Sequence, residues 1–254
     1  MLERLDLRSR ARAAGIHMLI SALVAALAAA LVFGLWFPGA YRLLAGGRDL
    51  FLLVTSVDVV LGPLLTFAVF NLKKGWPHLR RDLAVIGLIQ FAALLYGLQA
   101  VSGARPVAMV FEVDRFRLIT ADAVYRPELS EAAPEYRALP LTGPWLLAAK
   151  LPEKGDERNQ ALFMSLDGVD IGQRPRFWRP YDESRPAAIA RSRPFELLSR
   201  KYPQRAQEFS RALAEVSQPV DEARFLPVMA RGDWVAVLRK NGDIATYLQV
   251  EGFF

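Results

Sequence analysis

From Ala13 to Phe37 the sole ionisable side chain is His17, and a helix over that run would reach about 37 Å, more than the roughly 30 Å hydrocarbon layer of a bilayer. Leu50 to Phe70 is a second apolar run, interrupted by Asp58 and by Gly62-Pro63, and Leu83 to Val101 is a third without any charge. Lipid offers backbone amides no hydrogen bonds, so runs of this length cross it as helices. Residues 1–104 are therefore expected to form three transmembrane helices.

Four arginines (Arg4, Arg8, Arg10, Arg12) precede the first run. A cleaved secretory signal would also begin with basic residues, but its apolar core is only about 7 to 15 residues long. An uncleaved anchor is the expectation. The connection from Asn71 to Asp82 holds Lys73, Lys74, Arg80 and Arg81, whereas the link from Pro38 to Asp49 has only Arg42 and Arg48. The positive-inside rule then puts the N-terminus and the second connection in the cytoplasm. Three crossings leave residues 105–254 on the far side. Trp36, Phe37 and Tyr41 are expected to anchor the exit of the first span at the interface.

The charge distribution fits this division. Residues 1–104 carry a net charge of +5 and residues 105–254 only +1, so the pI near 9.8 belongs to the membrane flanks. Nucleic-acid binding needs a cationic face on a folded domain, and none is indicated. There is no cysteine, which excludes thiolate metal sites, thiol catalysis and disulfides. With two histidines, one in a span and one in a cytoplasmic connection, neither a His-based triad nor a histidine-rich metal centre can be built in the outer domain. No phosphate-binding glycine loop occurs, and no cofactor is expected. The carboxylate pairs Glu112/Asp114 and Asp167/Asp170 read as solvated or turn-forming.

Residues 105–254 read as a soluble α+β domain, because both periods occur in it. Val107, Met109, Phe111 and Val113 alternate as in a strand, Phe116 to Ile119 is a candidate neighbour, and Trp145 to Ala149 a third strand. Ala206, Phe209, Leu213 and Val216 recur at helical spacing, so Pro203 to Val216 predicts an amphipathic helix with that face inward. Phe225 to Ala230, Trp234 to Arg239 and Ile244 to Val250, separated by Gly232-Asp233 and Asn241-Gly242, predict a C-terminal antiparallel meander. Gln173 to Pro194 reads as a proline-rich loop.

Asp58 is the most informative residue, since a charge in mid-span costs about 2.5 to 3.5 kcal/mol on insertion scales. Thr55, Asp58, Gly62 and Thr66 fall within an arc of about 80° on a helix, a stripe of small and polar groups that another helix can approach. Pro63 leaves a carbonyl of the preceding turn without its donor. Either Asp58 pairs inside the bundle, with His17, Gln90 or water, or it serves another molecule. Ala22, Ala26, Ala30 and Gly34 form a small-residue line on the first span, as Ala93 and Gly97 do on the third. In the outer domain, Arg174, Arg176, Trp178, Arg179 and Tyr181 concentrate residue types that dominate interfaces. Either they form a docking loop, or Trp178 enters the core while the arginines pair with Asp182 and Glu183.

Gly15-Ile16-His17, the segment Val57 to Thr66, Arg81-Asp82-Leu83-Ala84-Val85-Ile86, Arg105-Pro106-Val107 and Phe111 to Phe116 resemble the TfpX/TfpZ family of type IV pilin accessory proteins. The layout matches along nearly the whole chain, and the specific motifs lie between Gly15 and Phe116. The resemblance implies a bacterial inner-membrane protein, its larger domain periplasmic, that acts as a chaperone or modulator for assembly or surface display of a particular type IV major pilin, with other pilus assembly components as further partners. It implies no enzyme and transfers no catalytic or ligand residues. Joined to the reading of the residues, it leads to a candidate pilin-helix contact of His17, Thr55, Asp58, Gly62, Pro63 and Thr66, with Asp58 opposite the pilin's free amine. The Arg174 to Tyr181 segment or the meander would hold the pilin head. The competing classes are a membrane-anchored ligand sensor, for which no cytoplasmic output domain is present, and a tethered periplasmic enzyme.

Overall fold

The computed structural model describes residues 2–72, 75–150 and 155–254, with the side chains of residues 2–6 excluded. Lys73, Lys74 and the side chain of Arg4, which enter the orientation argument, lie outside the described residues. The chain forms two compact units, one of residues 1–42 and 46–104, the other of residues 43–45 and 105–254.

In the first unit, helix α1 (Leu2–Leu31) continues as a π-helical turn, Val32–Trp36. A short turn of helix, α2 (Tyr41–Leu44), leads to α3 (Gly47–Val69), and α4 (Trp76–Gly103) follows. Segments Leu7–Trp36, Gly47–Val69 and Trp76–Gly103 are each long and apolar enough to cross a membrane. Their bulky side chains, among them Leu19, Leu27, Leu53, Leu88 and Tyr96, point outward and exposed, as a lipid solvent requires. Phe37 is not an interfacial anchor. It is fully buried against Gly47, where an added Cβ would lie 2.3 Å from its ring.

Helix α3 packs against both α1 and α4, while α1 and α4 scarcely meet. Gly97 lets α4 approach α3, since a Cβ there would stand 2.2 Å from Val54 Cγ1. Gly34 faces open space and Ala22, Ala26 and Ala30 are exposed, so the α1 line takes no part in this packing.

The second unit is built on a mixed sheet. Its strands are β1 (Pro106–Glu112), β2 (Arg115–Thr120), β3 (Trp145–Ala149), β4 (Trp178–Pro180), β5 (Arg193–Pro194), β6 (Arg224–Ala230), β7 (Gly232–Leu238) and β8 (Ile244–Leu248), in the order β4-β3-β1-β2-β6-β7-β8, with β5 beside β6. β1/β2 is a hairpin and β6/β7/β8 the expected antiparallel meander, but β1/β3 and β2/β6 are parallel. β1 is buried throughout instead of alternating, because it lies between β3 and β2 inside the sheet and is packed by the helix Tyr181–Arg191 and by the turn Ile171–Gln173. Val113 is outside it, in the hairpin turn.

Among the described residues four α-helices accompany the sheet: α5 (Asp156–Leu166), α6 (Tyr181–Arg191), α7 (Glu196–Lys201) and α8 (Ala206–Glu215). Phe209 and Leu213 of α8 enter a core with Phe195, Leu198, Phe225, Val235 and Val237, while Ala206 stays exposed. α6 replaces much of the expected proline-rich loop; it tolerates Pro186, and packs on β1, β3 and β6. Leu44 belongs to this unit: it is fully buried, and its carbonyl accepts the Arg231 N–H at 2.9 Å.

Candidate functional site

Because α1 and α4 flank α3 without closing over it, a groove remains along one face of α3. It encloses about 210 Å³, with Thr55 and Asp58 on its floor, Ser21 and Ala25 on the α1 wall, and Gln90 and Phe91 on the α4 wall. His17 also borders it. The expected stripe divides its work. Thr55, Gly62, Pro63 and Thr66 are buried, whereas Asp58 is only half-buried.

The polar neighbours that could neutralise Asp58 are engaged elsewhere. His17 Nδ1 lies 2.6 Å from Thr66 Oγ1 and joins α1 to α3. Gln90 Nε2 donates to the Asp58 backbone carbonyl at 3.0 Å, not to its carboxylate. That carbonyl stands one residue before the one Pro63 deprives of its donor, so the glutamine supports the weakened turn. Thr55 donates to the Phe51 carbonyl of its own helix at 2.8 Å. Among the described residues, no side chain bonds the Asp58 carboxylate. The groove is thus apolar-walled, open to the side, and floored by an acid lacking a partner. Ser21 and Phe91 were not singled out from the sequence. The signal was available in part, since Ser21 follows His17 by one helical turn and shares its face.

The Arg174 to Tyr181 segment has a different fate. Arg174 and Trp178 are fully buried and Tyr181 nearly so. Arg174 donates to both Glu128 oxygens at 2.5 to 3.1 Å, Trp178 Nε1 to the Gly172 carbonyl at 2.8 Å, and the Tyr181 hydroxyl to the Gly242 carbonyl at 2.7 Å. Burial pushes the Tyr181 phenol up to about 12. Arg176 bridges Glu157 and Glu131 at 2.9 and 3.3 Å. Arg179 donates to the Arg176 and Trp178 carbonyls. The acids that hold these arginines are Glu128, Glu131 and Glu157 rather than Asp182 and Glu183. Arg176 and Arg179 keep partial exposure and Pro180 is exposed, while Arg174, Pro175, Phe177, Trp178 and Tyr181 are buried.

Nor is Glu112 a solvated carboxylate. It is 5% exposed, accepts Arg117 Nε at 2.6 Å and the Gly172 N–H at 3.0 Å, and burial raises its pKa despite the arginine. Asp170 caps the turn Ile171–Gln173 and meets the same arginine at 2.7 Å.

Three apolar helices with a lateral groove, followed by a mixed-sheet domain, define a membrane-anchored protein. A family model for fimbrial assembly protein FimB matches residues 5–46, which include the His17 edge of the groove. The fimbrial assembly protein of serogroup I from Dichelobacter nodosus is 36% identical over 249 residues, 96% of each chain. That of serogroup E1 is 35% identical over the same share. That of serogroups C1 and C2 is 41% identical over 122 residues, 48% of this chain and 93% of the relative. No solved structure matches. This chain belongs to the family of fimbrial assembly proteins.

Proposed function

We propose that the protein is an inner-membrane accessory factor for assembly of a type IV pilin, and that it holds the apolar helix of the pilin subunit in the groove over Asp58. The family's description supplies the process; the groove supplies a physical means. The TfpX/TfpZ resemblance points the same way. The N-terminus is cytoplasmic and the mixed-sheet domain periplasmic in this proposal, in line with the basic flanks. No chemistry is performed on the subunit: the protein acts as a chaperone.

The single observation that carries this reading is the unpartnered carboxylate. A mid-span acid is retained against a cost of about 2.5 to 3.5 kcal/mol, and the groove beside it is shaped by two helices that do not close. A subunit helix entering from the lipid supplies both the missing wall and a donor for Asp58. A photo-crosslinker at Ser21 or Phe91 should capture the subunit in living cells, and Asp58→Asn should reduce both capture and fimbriation. Capture from the outward-facing Leu19 as efficiently as from Ser21, with fimbriation intact in Asp58→Asn, would refute the contact.

A further inference from the structure

The soluble domain holds a concavity of about 240 Å³ at one end of its sheet, where Leu44 and Ala45 meet the ends of β2 and β6. All of its lining belongs to the second unit. The covalent chain dictates where this end of the sheet must be. Ala45 precedes the span Gly47–Val69 by two residues, and Pro106, the partner of Thr120 at the end of β2, follows the span Trp76–Gly103 by three. At 1.5 Å per residue these two spans are about 34 and 42 Å long, so their ends emerge among the lipid headgroups. Three residues extend at most about 11 Å. Two independent tethers therefore hold the concavity beside the polar layer of the bilayer.

Arg231 stands on its rim, at the turn between β6 and β7, with its backbone fastened on both sides. Its N–H donates to the Leu44 carbonyl at 2.9 Å, and its own carbonyl accepts Trp234 Nε1 at 2.9 Å. The side chain is exposed and, among the described residues, meets no carboxylate. No residue of the lining is acidic. Arg117 also lines the concavity, but its guanidinium is taken up by Glu112 and Asp170, at 2.6 and 2.7 Å, and the Thr120 hydroxyl donates to Asp122. The available charge is thus that of Arg231. Beside it Met229 is 37% exposed and adds apolar surface. A free arginine on a hairpin turn is ordinary on a protein in water; this one is tied to a membrane surface.

We propose that this concavity binds the headgroup phosphate of an anionic phospholipid, with the Arg231 guanidinium on the phosphate oxygens and Met229 against the glycerol and upper acyl chain. Charge and position select that occupant. A guanidinium presents parallel donors that match phosphate oxygens, a lining with a cation and no acid favours an anionic headgroup, and the two tethers keep lipid phosphate permanently at hand. The site is separate from the intramembrane groove, and its test needs no pilin subunit.

The chain has no cysteine, so full-length Met229→Cys and Lys240→Cys variants each take one fluorophore. Lys240 lies past the opposite end of β7, roughly 20 Å away along the strand. In nanodiscs of phosphatidylglycerol with nitroxide-labelled headgroups, quenching at position 229 should exceed that at position 240 at least about threefold. In detergent, native mass spectrometry of the full chain should show phosphatidylglycerol retained at least about threefold over phosphatidylcholine. Arg231→Gln, which leaves both backbone bonds in place, should about halve that preference or lower it further, and Arg231→Lys should keep part of it. Inorganic phosphate should not displace the lipid. Equal quenching at the two positions, a preference unchanged in Arg231→Gln, or displacement by inorganic phosphate, the mark of a free-anion site, would each overturn the proposal.

Discussion

Two acids removed from bulk water receive opposite treatment in the two units. Glu128 of the soluble domain is 7% exposed and enclosed by Arg174, which donates to both its oxygens. Asp58 of the membrane unit lines an open groove and, among the described residues, has no partner for its carboxylate. In the domain, charge is part of the fold. In the spans the Asp58 carboxylate is bonded by no side chain among the described residues, and the proposed subunit contact rests on that difference. The same contrast separates the two candidate contact regions, for the Arg174 to Tyr181 segment is consumed by the core while the groove stays open.

The comparison breaks hardest at Arg174. Removing one partner of a buried pair strands the other, so Arg174→Ala should destabilise the domain by about 3 to 5 kcal/mol, read as a lower urea midpoint. A loss under about 1 kcal/mol would mean that the pair is not structural. In the membrane unit the sensitive positions are apolar. Gly97→Leu must push against Val54, a stiff side chain whose Cγ1 already lies 2.2 Å from where a Cβ would be, and should cost about 1 to 3 kcal/mol. Gly34→Leu meets nothing and should leave thermal stability in detergent unchanged.

The smallest effect concerns Glu112. Burial raises its pKa, so the folded protein holds this proton more tightly than the unfolded chain. Its ionisation therefore subtracts stability as pH climbs from the ordinary glutamate range through the raised folded value, and no further above it. The stability of Glu112→Gln relative to wild type should rise across that window and be flat on either side. A difference that falls with rising pH would show that Arg117 outweighs burial.

Much of this was legible in the sequence, and the exceptions have physical causes. The spans were visible because lipid demands an unbroken apolar run. The meander was visible because Asn241-Gly242 sits between strand-like runs. α8 was visible through Phe209 and Leu213. α5 and α6 were not: α5 exposes Leu162, Phe163 and Leu166, and α6 carries Pro186 between Pro180 and Pro194. Parallel pairing of β1 with β3 joins distant segments that no local pattern connects. At the site, Asp58 stood out by its cost. What the sequence could not decide was the pairing of His17 with Thr66 and of Gln90 with a backbone carbonyl, and those two contacts are what leave the acid alone.

The most direct test of that claim is the melting temperature of the purified protein in detergent, measured for wild type and Asp58→Leu and set beside fimbriation of the same strains. An acid without an internal partner predicts a melting temperature that is unchanged or higher in Asp58→Leu, together with loss of fimbriae. A marked fall in melting temperature would show that Asp58 holds the bundle together, and would contradict the account.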